Sequence, residues 1–71
     1  MDVRERFAFN LRRLRTEKGL SQEAFAFEAN IHRTYISDLE RGVRNPTLMV
    51  IAKIARSLDV FEGELFLHPE G

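Results

Sequence analysis

QEAFAFEANIHRTYISDLER, Gln22 to Arg41, is the stretch that decides how this chain folds. Ser21, just ahead of it, is a residue type that caps helix N-termini, and acidic Glu23 follows at the favourable end of the helix dipole. Phe25, Ala26 and Ala29 then share one face at helical spacing. Asn30 is placed to end that helix in the left-handed conformation, which asparagine tolerates better than most residues. One apolar residue, Ile31, plugs the bend. After His32 a second helix is expected over Arg33 to Arg41, with Ile36 and Leu39 inward and Gly42 as its stop. Ala26 is small where the two helices cross. The stretch encodes two short helices meeting at an angle.

Outward from this pair the chain keeps helical period, and nothing alternates convincingly at period two. A first helix is expected from Val3 to Lys18, where Val3, Phe7, Leu11 and Leu14 form an apolar stripe and Gly19 is the left-handed stop. Pro46 and Thr47 open a fourth helix, with Thr47 as its cap and Leu48, Ile51, Ala52, Ile54, Ala55 and Leu58 as a wide buried face. A short fifth helix, Phe61 to Leu67, closes the core with Phe61, Leu65 and Phe66, and residues 68–71 form a frayed tail. The expected fold is all-α: five short helices in one compact domain over residues 1–71. Phe9 lies about 200° around the first helix from both Phe7 and Leu11. Phe27 is similarly displaced from Phe25, so both belong outside the core.

Composition narrows the function. A chain of 71 residues and 8.3 kDa exposes about 12,000 Å² unfolded and about 4,600 Å² folded, enough for one core and no separate catalytic lobe. There is no cysteine, which excludes disulfides and thiolate zinc sites and is compatible with a cytoplasmic location. His32 and His68 are too few and too far apart for a metal cluster. No apolar run approaches the roughly 20 residues of a membrane span. Ser21 and Ser37 lack a His–acid relay, no glycine-rich phosphate loop exists, and the carboxylates are dispersed. No enzyme, cofactor, metal or small-molecule ligand is expected. The net charge is zero, yet residues 1–45 carry nine Lys/Arg against seven Asp/Glu, and the remainder two against four. Affinity for phosphate depends on where the cations sit, so neutrality weakens a nucleic-acid reading without removing it.

Two helices around a tight bend are the pattern of a helix-turn-helix, whose second helix is free to enter a DNA major groove. The pattern alone leaves other roles open. The strings GLSQEAFAFEAN (19–30), HRTYISDLERGVRNPTL (32–48), IAKIARSLDV (51–60) and ELF (64–66) resemble the Cro/lambda-repressor (Xre-type) helix-turn-helix family. The resemblance spans about Phe7 to Phe66, and Asn30 departs from the glycine most frequent there. It implies a sequence-specific, dimeric bacterial or phage transcription regulator, similar in its economy to restriction–modification controllers and compact repressors. It also implies roles. His32, Arg33, Thr34, Ser37 and Asp38 correspond to base-reading positions; Gln22 corresponds to a phosphate contact that also braces the recognition helix. Arg44 and Asn45, with Arg41, lie in the loop that touches the DNA backbone. Arg15 and Glu40 match positions of an ion pair tying the first helix to the third. The fourth and fifth helices are the usual dimer surface.

Side-chain chemistry suits these placements. Arg33 can donate two hydrogen bonds to guanine O6 and N7, the commonest specific contact. Thr34 offers a hydroxyl and a methyl. Asp38 repels phosphate unless it accepts from cytosine N4 or restrains a neighbouring arginine, and the restraining role is preferred. Ser21, at a helix N-terminus whose N–H groups favour anions, joins the phosphate set, as does the hydroxyl of Tyr35, whose ring has packing on the first helix as its alternative. Off-stripe Met49 and Val50 are expected to join Phe61 and Leu65 in a homodimer contact. Double-stranded DNA and a second copy are the expected partners, with RNA polymerase a further candidate. The competing class is a protein-interaction module, such as an antitoxin or anti-repressor, docking through exposed phenylalanines.

Overall fold

Four consecutive helices begin on a side-chain cap. In the computed structural model, which describes residues 1–69, these are α1 (Val3–Glu17), α2 (Gln22–Ala29), α3 (Arg33–Glu40) and α4 (Leu48–Leu58), followed by a 3-10 helix, η1 (Glu62–Phe66). Asp2 caps α1 in a reciprocal box with Glu5, whose carboxylate accepts from the Asp2 N–H at 2.9 Å. Ser21 Oγ and Thr47 Oγ1 accept from the N–H groups of Ala24 and Val50 at 3.0 and 3.1 Å. Each cap satisfies donors that the helix itself leaves unpaired.

The same four helices end alike. Gly19, Asn30, Gly42 and Asp59 all adopt positive φ, between 56 and 73°. In each case the next residue's N–H reaches back five positions: Leu20 to Arg15, Ile31 to Ala26, Val43 to Asp38 and Val60 to Ala55, at 3.0–3.2 Å. This is the Schellman closure, which uses carbonyls that the helix end cannot satisfy and turns the chain sharply. The apolar residue that follows each left-handed one then folds onto the core. Leu20, Ile31 and Val60 pack against it, whereas Val43 stays 60% exposed.

Helix α1 packs on α3 and η1, α2 on α3 and α4, and α4 on η1. Phe7, Leu11, Leu14, Phe25, Ala26, Ala29, Ile36, Leu39, Ile54, Ala55, Leu58 and Leu65 form the core, and the Phe7 and Phe66 rings meet at 5.4 Å. The accessible surface is 4614 Å², the size expected for one folded unit of this mass.

Several expectations need correction. Helices α1 and α3 stop one residue early, with Lys18 and Arg41 as their C-caps. The fifth element is a 3-10 helix, preceded by Phe61 as its N-cap. Phe61 is 75% exposed and does not close the core, while Leu65, expected at a dimer surface, is fully buried and has no surface to offer a partner. Val3 and Leu48 are exposed despite their inward angular positions, because each is the first residue of its helix. Along α4, burial rises from exposed Leu48 and Met49, through half-buried Val50 and Ile51, to buried Ile54, Ala55 and Leu58. Of the expected frayed tail, His68 is exposed, and Glu70 and Gly71 lie outside the described residues.

Candidate nucleic-acid interface

The N-terminal turn of α3 presents His32, Arg33 and Thr34 to solvent. His32 is itself the N-cap: its Nδ1 accepts from the Thr34 N–H at 3.1 Å. The neutral ring proton therefore sits on Nε2, leaving an N–H donor directed to whatever approaches the helix end. Arg33 makes no ion pair among the described residues. Ser37 and Asp38, one turn on, are half-buried.

The opposite side of α3 is anchored by Ile36 and Leu39 in the core and by one carboxylate. Glu40, whose side chain has no exposed area, accepts from Arg15 twice, Nε to Oε2 at 2.6 Å and Nη2 to Oε1 at 2.9 Å. Gln22 Nε2 adds a third bond at 3.0 Å and Arg12 Nε a fourth at 3.4 Å. Arg15 Nη1 also donates to the Leu20 carbonyl at 2.7 Å. Burial pushes the Glu40 carboxyl up, but the hydrogen bonds from Arg15 and Gln22 and the Arg15 charge outweigh it and hold it below the ordinary carboxylate range. Hydrogen bonding to Glu40 raises Arg15 in turn, so both groups stay charged. A single buried carboxylate thus joins α1, α2 and α3. Gln22 donates to Glu40 at the end of α3, and its amide oxygen accepts no hydrogen bond among the described residues.

The loop after α3 carries the remaining polar candidates. Arg41 Nη2 donates to Asp38 Oδ1 at 2.7 Å, and Arg44 Nε lies 3.5 Å from Asp38 Oδ2. The Arg44 guanidinium stacks over the Tyr35 ring, 4.4 Å from its centroid. Asn45 is exposed on the same loop, and Ser21 is exposed with its oxygen engaged in capping. Met49 and Phe61 are 73% and 75% exposed, and Val50 is half-buried. Phe9 and Phe27 also lie outside the core, Phe27 at 88% exposure. Among the described residues no group of His, Asp and Glu is placed to hold a metal, and no helix is long and apolar enough to cross a membrane.

Sequence reasoning missed Asn10. It is buried, and its Nδ2 lies 2.9, 3.2 and 2.8 Å from the carbonyls of Arg6, Leu65 and Leu67. Arg6 Nε adds a bond to the Phe66 carbonyl at 3.0 Å. Together they strap η1 to α1 at carbonyls that a 3-10 helix leaves unpaired. The signal was legible, because Asn10 stands three residues after Phe7 and four before Leu14, a polar residue on the inward stripe.

Residues 11–65 match the family described as Helix-turn-helix (HTH_3). The control protein C.BamHI of Bacillus amyloliquefaciens is 48% identical over 60 residues, covering 83% of this chain and 74% of its own. The restriction-modification controller protein C.AhdI from Aeromonas hydrophila superposes with a TM-score of 0.85 at 48% identity, over 89% of this chain and 96% of that one. The controller C.Esp1396I, solved as a tetramer in complex with its natural 35 base-pair operator, superposes at 0.83 with 35% identity, over 93% and 87% of the two chains. Sequence, fold and the bend between α2 and α3 agree: this chain belongs to the Cro/lambda-repressor (Xre-type) helix-turn-helix family.

Proposed function

We infer that this protein is a sequence-specific double-stranded DNA-binding transcriptional regulator, not an enzyme, acting as a homodimer on a near-palindromic operator with α3 in the major groove. The observation that carries this reading is the exposed end of α3. An arginine without an ion-pair partner among the described residues, a tautomer-fixed histidine and a threonine project there, from a helix whose far side is bound by Glu40. The likeness to a controller solved on its operator supports it. Arg33 reads guanine, His32 donates through Nε2 to a base or phosphate acceptor, and Thr34 and Ser37 supply hydroxyls. Ser21, Gln22, Tyr35, Arg41, Arg44 and Asn45 hold the phosphates on either side. Exposed Met49 and Phe61, with Val50 and Leu48, form the contact with the second copy, which places two copies of α3 about 34 Å apart, over half-sites about 10 bp apart. The site of action is the cytoplasm, where a bacterial chromosome is reached.

Selection of bound duplexes from a randomised library tests this directly. A two-fold symmetric motif is expected, and Arg33→Ala should relax the preference at one position per half-site. A folded protein that enriches nothing overturns the reading and favours the protein-interaction class. An unchanged motif with Arg33→Ala removes Arg33 as a base reader. Met49→Glu with Phe61→Ser should yield monomers in sedimentation, and dimers that persist in that variant would move the interface elsewhere.

A further inference from the structure

A carboxylate on a surface that meets phosphate is an electrostatic anomaly, and Asp38 is one. Coulomb attraction alone predicts that removing it strengthens DNA binding and steepens its salt dependence. Its geometry points the other way. The side chain is only 19% exposed, and its two oxygens face two different arginines, Arg41 at 2.7 Å and Arg44 at 3.5 Å. Arg44 is held a second time by the Tyr35 ring, which itself packs against the core. The backbone completes the arrangement, since the Val43 N–H donates to the Asp38 carbonyl at 3.2 Å and Gly42 turns at φ 73°. Residue 38 thus holds the loop through its backbone and its two loop arginines through its side chain.

We propose that Asp38 is a positioning residue for DNA binding, a latch that sets the Arg41 and Arg44 guanidiniums in advance for the phosphate backbone. The proposal rests on the DNA-binding reading above. An unrestrained arginine loses much rotamer freedom when it docks, and that loss lowers affinity. Here the loss is taken at folding instead. A planar guanidinium paired with one carboxylate oxygen, as both are, or also stacked on an aromatic face, as Arg44 is, still has donors left for a phosphate. Asp38 faces arginines on both sides, so its charge is spread over the latch and does not stand bare before the DNA.

The test uses the full chain with Asp38→Asn, Asp38→Glu and Arg44→Lys, and a labelled mixed-sequence duplex at about 50 to 200 mM salt. Phosphate contacts do not depend on sequence, so no operator is needed. The latch predicts that Asp38→Asn binds about fivefold more weakly per protomer. Its log–log salt slope should become shallower by about one. Asp38→Glu should recover part of the loss, Arg44→Lys should resemble Asp38→Asn, and all melting curves should stay close to wild type. Side-chain motion of Arg44, followed by 15N relaxation at Nε in the free protein, should be restricted in wild type and freer in Asp38→Asn. Equal or tighter binding by Asp38→Asn, or a steeper slope, overturns the latch alone. Failure of the wild type to bind duplex while the Arg44 side chain stays restricted overturns the DNA-binding reading, and the proposed role with it.

Discussion

Glu40→Ala is the sharpest perturbation of this fold. The side chain is sealed from solvent and takes two bonds from Arg15, which is itself 10% exposed at the side chain, with further bonds from Gln22 and Arg12. Removing the carboxylate leaves a guanidinium in the interior with only the Leu20 carbonyl to receive it. Breaking a buried pair in this way costs about 3–5 kcal/mol. A 71-residue domain has about 4–11 kcal/mol in total, so the variant sits near the folding threshold. Each kcal/mol moves the midpoint by about 4–8 °C at this size, and a fall of at least about 12 °C is expected. The double substitution Arg15→Met/Glu40→Leu separates charge from packing. Replacing a buried pair by apolar residues is often neutral, and losing the Leu20 bond costs about 1 kcal/mol, so most of the stability should return. Urea unfolding followed by circular dichroism gives the full cycle, with a coupling energy above about 2 kcal/mol expected. If each single variant loses less than about 1 kcal/mol, Arg15 and Glu40 are merely solvated charges and the reasoning fails. Because the same carboxylate ties α3 to α1 and α2, a folded Glu40 variant should also bind DNA more weakly.

Acid should act through the same group. With Glu40 titrating below its ordinary value of 4.5 in the folded chain, the unfolded chain takes up the proton first, so the stabilisation is complete above that pH and is lost as pH falls through the depressed value. Urea midpoints measured down to about pH 3 should drop over that range, and the drop should shrink in Glu40→Gln. Asn10→Leu strands the Leu65 and Leu67 carbonyls and should cost about 2 kcal/mol, with the amides of η1 exchanging ahead of global unfolding; protected amides there would argue against the strap. At Gly19, φ is 73° and a Cβ meets nothing within 4 Å. Gly19→Ala therefore isolates the backbone term, about 1–2 kcal/mol, with Gly19→Asn costing less; a neutral Gly19→Ala in thermal melts would deny the left-handed closure.

Three of the exposed apolar residues have a common origin. Leu48 and Met49 open α4, and Phe61 precedes η1, where no second element among the described residues covers them. Leu65 is central to η1 and faces α1 and α4, so it is spent on the core. Of the four residues that follow a left-handed stop, Val43 alone is left exposed, and it lies on the loop between Arg41 and Arg44.

Sequence alone determined the starts and stops of α1 to α4 to within about a residue, because backbone chirality and capping are local. Ser21 and Thr47 cap, and Gly19, Asn30 and Gly42 turn left-handed, whatever lies across the fold. It also determined the inward faces of α2 and α3, where the spacing of Phe25, Ala26, Ala29, Ile36 and Leu39 admits one solution. Leu48 and Leu65 were misplaced because helical periodicity gives an angle around an axis and says nothing of how far along that axis a neighbour reaches. The 3-10 helix compounds this, since its period is three and it is only five residues long. The Asn10 strap joins residues 55 and 57 positions apart, and the contacts of Glu40 cross separations of 18 to 28. Asp38 shows the same division at close range: its residue type left two roles open, and only the path of the loop after Gly42 brought Arg44 onto Tyr35 and within reach of the carboxylate. Such pairings depend on how whole elements pack, and so only the tertiary structure decided them.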